Sequence, residues 1–305
     1  MIETAEIAHL PVHVAVQRIG AVRDRQPVLG WVGAMMHRRR IKRIPERGRC
    51  GTDMGAVRHA GRRGGTMETG SDPGNDGPYW LAAHVYFALC AHHAVLMDLR
   101  HDRYQAVQPA EALAGWVQGW PLPGVRTAPA PPIVRRLLAQ GLLVRDARRG
   151  RMAVAASARE PTRTLLEFDF ANRQTAGARA AADLARAWAA ARLWLALFSM
   201  QTVLGRVGAR GAARSACRGA WDWDRAHALV MRFVHLRPLF YTARDACLLD
   251  SLTLLNFLAL HDVYPQWVFG VRTAPFHAHC WVQQEDVLYN DMPERVRQYT
   301  PILRI

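Results

Sequence analysis

The run from residue 245 to residue 260, Asp-Ala-Cys-Leu-Leu-Asp-Ser-Leu-Thr-Leu-Leu-Asn-Phe-Leu-Ala-Leu, is apolar around most of its helical circumference. A helix of that kind is stable only when neighbouring elements cover it on most sides. Asp245 stands where an N-cap is expected, and Tyr264-Pro265 follows the last turn. Three strand-like runs come next, at 266–273, 277–283 and 287–291, and Trp267, Val268, Phe269 and Val271 suit a well-buried strand. The last third of the chain thus calls for a buried helix followed by adjacent antiparallel strands.

The 305 residues, half of them hydrophobic, are enough for about two domains with a sizeable core and exclude a disordered or collagen-like chain. No apolar run reaches the roughly eighteen residues of a membrane span. The nearest, 193–204, is short and contains Ser199 and Gln201. Runs at 83–90, 93–99 and 103–107 read as a three-stranded meander, and helices are expected at 109–120 and 131–143. Together they make a winged-helix-like α+β module over 78–150. Residues 145–161 have the small, basic character of a linker. A long helix is expected over 172–207, a loop over 209–219 and a further helix over 222–235.

Forty basic residues against twenty-five acidic ones give a formal charge of +15, which by itself points to nucleic acid. All but Lys42 of the forty are arginine, and with the heavy alanine and glycine usage this reads as codon bias. Residues 1–66 alone contribute +8, including Arg38-Arg39-Arg40-Ile41-Lys42-Arg43. A secretory signal does not fit, because the short apolar piece at 28–36 precedes the positive run. A nucleic-acid-binding arm is one reading. The favoured expectation is a natural start at Met67, with 1–77 a basic, disordered or non-native extension.

The cysteines, Cys50, Cys90, Cys217, Cys247 and Cys280, are odd in number and include no C-x-x-C pair, so neither a disulfide framework nor a cysteine metal site is expected. Reduced thiols in a cytoplasmic chain are the expectation. Cys247 falls in the first turn of its helix, where free N–H groups and the positive dipole end stabilise a thiolate. The competing reading is a small buried hydrophobe. His279 lies on the second strand and Asp291 on the third. By strand parity the hairpin could bring Asp291 beside His279, as an activating histidine requires. His277 shares that face, so parity does not separate the two histidines. Cys280 points to the opposite face and reads as core, Asp250 as a polar helix position, Asp262 as a turn residue.

The stretches Cys247-Leu-Leu-Asp-Ser-Leu, Trp267-Val-Phe-Gly-Val271, Pro275-Phe-His-Ala-His-Cys-Trp-Val282, Leu288-Tyr-Asn-Asp291 and Tyr299-Thr-Pro-Ile-Leu resemble those of the lasso-peptide maturation B proteins. These are transglutaminase-like (papain-like) cysteine peptidases fused to an N-terminal leader-recognition element. The resemblance covers 165–305 for the peptidase and 78–150 for the recognition element. It implies Cys247 as nucleophile, His279 rather than His277 as base, and Asp291 as the acid that orients it. Gln283 stands where the family often has glutamate, and the turn Gln284-Glu-Asp lacks a glycine commonly found there.

What the resemblance implies is a peptidase that hydrolyses the leader from a ribosomally made lasso-peptide precursor. An asparagine-synthetase-like, ATP-dependent cyclase would be its partner, with no cofactor or metal on this chain and no nucleic-acid or membrane partner. The leader is expected on the third strand and the last helix of the small module, near Tyr104, Val107, Val134 and Leu138. For most of those helix residues, packing in the module's own core is the better account. Two other readings stay open: a winged-helix DNA-binding regulator with an inert second domain, and a transglutaminase-like acyltransferase.

Overall fold

The computed structural model describes residues 13–18 and 77–305, apart from 127–128, 167–176, 216–221 and 243–245. The described residues belong to a single compact unit of mixed α/β structure. Of the amino-terminal segment up to residue 76, only β1 (His13–Arg18) is described; Met67 and the arginine run lie outside the described residues.

After β2 (Trp80–Ala82) come β3 (Val85–Cys90), β4 (His93–Asp98) and β5 (Arg103–Gln108), which form the expected meander. β1 joins this sheet at its β5 edge, giving the order β1-β5-β4-β3. The buried carboxylate of Asp98 ties the β4–β5 turn, accepting the amides of Arg100 and His101 and the Arg103 guanidinium. The helix expected at 109–120 does not form. Residues Ala110–Leu113 make one 3₁₀ turn. Gly115 and Gly119 then take φ of +73° and +77°, and Val117 bridges to Tyr79. Leu113, Trp116 and Val117 are buried from turns rather than from a helix face, which is why their spacing misled.

The second expected helix is α1 (Pro132–Ala139), ended by Gly141 at φ +69°. β6 (Leu143–Val144) and β7 (Gly150–Arg151) flank β2 in a three-stranded sheet, so the supposed linker begins as structure. Its far end is tied down too. Arg297 donates to the carbonyl of Pro161 at 3.1 Å, and β8 (Arg163–Thr164) is the outer strand of the main sheet.

In place of one long helix there are two, α2 (Ala178–Leu197) and α3 (Met200–Ser215). The break falls at Ser199, whose hydroxyl accepts the Thr202 amide and restarts the helix. Residues 209–215 are therefore helix, where the Gly-rich sequence suggested a loop. The guanidiniums of Arg206 and Arg210 stack on Trp194, and that of Arg206 also on Phe198, holding α3 to its neighbour. α4 (Trp223–Leu236) is capped by Asp222, which accepts the Arg225 amide at 3.2 Å.

The apolar run becomes α5 (Cys247–Ala259). Ala246 occupies the cap position and offers no side-chain acceptor, so the expected Asp245 cap is replaced; Asp245 itself lies outside the described residues. β9 (Gln266–Thr273) and β10 (Phe276–Gln284) pair in unbroken antiparallel register, with His279 opposite Gly270. β11 (Val287–Leu288) is shorter than expected. α6 (Pro293–Val296) and β12 (Thr300–Arg304) complete a sheet of order β12-β9-β10-β11-β8. α5 covers the face bearing Phe269, Val271, Cys280 and Val282, in the main core. Val268, Trp281, Leu288, Val296 and Tyr299 make a smaller core on the other face.

Candidate active site

Cys247 is the first residue of α5, where the first amides of a helix have no carbonyl partners inside it. His279 lies on β10, 5% exposed, and Asp291 lies in the bend after β11, 6% exposed. Asp291 is therefore not delivered by strand parity. The backbone ladder runs as far as the Tyr289 amide, which donates to the Val282 carbonyl at 2.9 Å. The Val282 amide then goes to the side-chain oxygen of Asn290, also at 2.9 Å. With the ladder closed by a side chain, the backbone turns, and Nε2 of His279 donates to Oδ2 of Asp291.

This bond fixes a proton on Nε2 and leaves Nδ1 as the free lone pair of the neutral ring. Nδ1 is buried and bonds no oxygen or nitrogen among the described residues, and the Cys247 sulfur is the hydrogen-bonding neighbour of the ring. Burial alone would lower the imidazole pKa. The bond to Asp291 and the neighbouring Cys247 sulfur outweigh it and push His279 up to about 9. The Cys247 thiol moves well below the usual thiol range. The thiol of Cys280 acts on it first, burial opposes, and the His279 ring adds its hydrogen bonding and charge. Cys280, fully buried, is pushed far up by desolvation and stays a neutral S–H donor. Its core position is as expected from its face; its closeness to Cys247 is not.

His277 behaves differently. It is exposed, its Nδ1 bonds the Tyr299 hydroxyl at 3.1 Å, and burial and Arg272 lower its pKa. Trp281 stacks on His279 with ring centroids 6.0 Å apart, and Tyr299 approaches the same ring at 5.1 Å. Gly270 makes room for both. A Cβ there would lie 2.8 Å from the Trp281 ring and 2.9 Å from Tyr299 Cβ.

Asp250 is a polar helix position, and a buried one. One turn beyond Cys247, it is 4% exposed, and its carboxylate receives Arg237 at 3.0 Å, Tyr241 at 3.1 Å and the Asn290 amide at 2.9 Å. Asn290 also donates to Ser251, whose hydroxyl bonds the Cys280 carbonyl. The group ties the start of α5 to the bend that carries Asp291. A carboxylate inside so apolar a run was the available signal for it. Gln283 is equally enclosed: its Oε1 accepts the Trp281 indole, and its Nε2 donates to the carbonyls of Arg159 and Glu285.

The other named residues lie in the small module. Tyr104 packs on Phe276 with ring centroids 5.7 Å apart; Val107 and Val134 are fully buried in the module's core; Leu138 is half-buried against it. Only Leu138 of the four has a side chain within reach of an incoming chain. Among the described residues no cluster of His, Cys, Asp and Glu could hold a metal ion, and no helix is long and apolar enough to cross a membrane.

A thiol of lowered pKa, a buried imidazole of raised pKa and a carboxylate on the far side of the ring can form and transfer an acyl group. Residues 191–304 match the model of the Transglutaminase-like superfamily. The match runs from the end of α2 to β12 and includes Cys247, His279 and Asp291. Domains of this superfamily are usually catalytic, as cysteine proteases or acyltransferases. No curated protein and no solved structure matches the chain.

Proposed function

We propose that the protein is a cysteine peptidase that removes the leader from a ribosomally made precursor of the lasso-peptide kind. The observation that carries this reading is the His279–Asp291 hydrogen bond, with Nδ1 left for a thiol already lowered in pKa. Cys247 attacks the carbonyl carbon of the scissile peptide as a thiolate. The C–N bond breaks as the His279 imidazolium gives its proton to the leaving amine, and the leader remains as a thioester on Cys247. The neutral ring then takes a proton from water, which attacks the thioester. The products are a leader carboxylate and a core peptide with a new amino terminus. The Cys247 backbone amide, at the first helical position, is the candidate donor to the oxyanion.

In this reading the 78–150 module holds the leader as an added strand on β5. Because Tyr104, Val107 and Val134 are closed inside, recognition there falls to the β5 backbone and Leu138. An asparagine-synthetase-like cyclase that uses ATP would take the freed core peptide. The test is incubation with a precursor followed by mass mapping. Two fragments whose masses sum to the precursor plus one water are expected, and none with Cys247→Ala. Transfer of the leader to an amine in place of water would make the chain an acyltransferase instead.

A further inference from the structure

β5 has two edges. β4 takes one, and residues 13–18 take the other over its whole length, from His13 opposite Gln108 to Arg18 opposite Arg103. No second extended chain can pair with that edge while β1 is there, because each residue of β5 already has its partner. β1 also comes from a distant part of the chain, so its docking has the geometry of a peptide added to a sheet edge.

The fit of β1 is incomplete at Gln105, in the middle of β5. This residue is 1% exposed, yet neither its amide oxygen nor its amide nitrogen has a hydrogen-bond partner. The residues in register on either side are Leu96 and Val16, which have no polar side-chain atom. A buried amide left unbonded is destabilising. An incoming strand with a hydrogen-bonding side chain opposite Gln105 removes that penalty.

We infer that residues 13–18 are a cis occupant of a peptide-docking edge on β5. This segment and an extended peptide that carries a hydrogen-bonding side chain opposite Gln105 exclude one another. The inference deepens the peptidase reading by giving it a built-in competitor for the leader, but docking is measurable without cleavage.

The experiment uses the full chain carrying Cys247→Ala, with and without Ala15→Pro/Val16→Pro. Two adjacent prolines remove a ladder N–H whichever way the pairs alternate. The probe is a labelled synthetic peptide of residues 10–21, read by fluorescence anisotropy, with hydrogen exchange followed at 103–108. Saturable binding is expected to the double-proline chain and at least tenfold weaker binding to the unsubstituted one. Exchange protection at 103–108 should be lost on substitution and regained with peptide. A probe with Val16→Asn should bind about fivefold tighter, the worth of one net hydrogen bond. Equal binding to both chains, no binding to the double-proline chain, or unchanged protection at 103–108 would each overturn the inference. If docking behaves as expected while an intact Cys247 cleaves no precursor, the edge assignment stands and the peptidase reading falls.

Discussion

Asn290 donates its side-chain amide to the buried carboxylate of Asp250 at 2.9 Å, joining the helix that begins with Cys247 to the bend that carries Asp291. Its oxygen meanwhile replaces a backbone carbonyl as acceptor for the Val282 amide. Asn290→Ala leaves the Val282 amide and the Oδ2 of Asp250 without these partners inside the protein, while Arg237 and Tyr241 stay on Oδ1. It should cost about 2–3 kcal/mol of unfolding free energy and lower kcat more than it raises KM. Denaturant melts with peptidase kinetics check this; an unchanged midpoint would count against the clamp.

Thiolate and imidazolium favour each other, and this sets the pH dependence. His279 is raised from 6.5 to about 9, so its stabilisation is full below 6.5 and is lost as pH rises through about 9. Cys247 is lowered, so its stabilisation is present at high pH and is lost as pH falls through the depressed value. The charged pair persists between these limits, and peptide cleavage should be bell-shaped with its alkaline limb near 9. Asp291→Asn removes a support of the imidazolium and should move that limb toward neutrality. The rate of iodoacetamide alkylation against pH reads the same pair without substrate. An alkaline limb that stays put in the variant would show that Asp291 does not hold the ring.

The buried helix, the β9–β10 hairpin and the small meander were legible in the sequence because each has a simple apolar period. That His279 and Asp291 come together was legible from the hairpin they flank. How Asp291 reaches His279 was not, because a side chain, Asn290, closes the ladder where parity counting assumes backbone. Asp250 is the polar helix position the sequence suggests, but its partners were not legible, because all three come from segments distant in the chain or folded back on it. The failed 109–120 helix has a local cause, since two glycines with positive φ turn a stretch whose apolar spacing imitates a helix face.

Gln283 tests whether an amide is required at this enclosed position. Its nitrogen donates to two carbonyl oxygens, at 2.6 Å from Arg159 and 2.5 Å from Glu285. Gln283→Glu turns that donor into a carboxylate oxygen facing both. Near pH 7 the variant should be less stable by about 1–3 kcal/mol. The carbonyls disfavour the charged form, so the folded-state pKa of the new carboxyl lies above its unfolded value. The penalty is therefore full above the raised pKa and shrinks as pH falls through it. Thermal melts of both proteins at pH 7 and pH 5 should show the gap narrowing with acid. A gap independent of pH would mean that the charge is not what destabilises.

Gly270 is where the sheet leaves room for the rings around His279. A methyl group there meets the Trp281 ring at 2.8 Å on one side and Tyr299 Cβ at 2.9 Å on the other, and both rings lie against the imidazole. Neither neighbour can withdraw freely. Trp281 is 1% exposed and its indole is held by Gln283, while Tyr299 is anchored through its hydroxyl to His277. Overpacking of this kind costs about 1–3 kcal/mol. Gly270→Ala should therefore lower stability by that amount and also tilt the His279 ring away from Cys247. The second effect separates it from plain destabilisation. At a temperature where the variant is fully folded, the thiol should alkylate more slowly near pH 6, because its imidazolium partner is displaced. A folded Gly270→Ala protein with wild-type alkylation would show that Trp281 and Tyr299 do not position the imidazole.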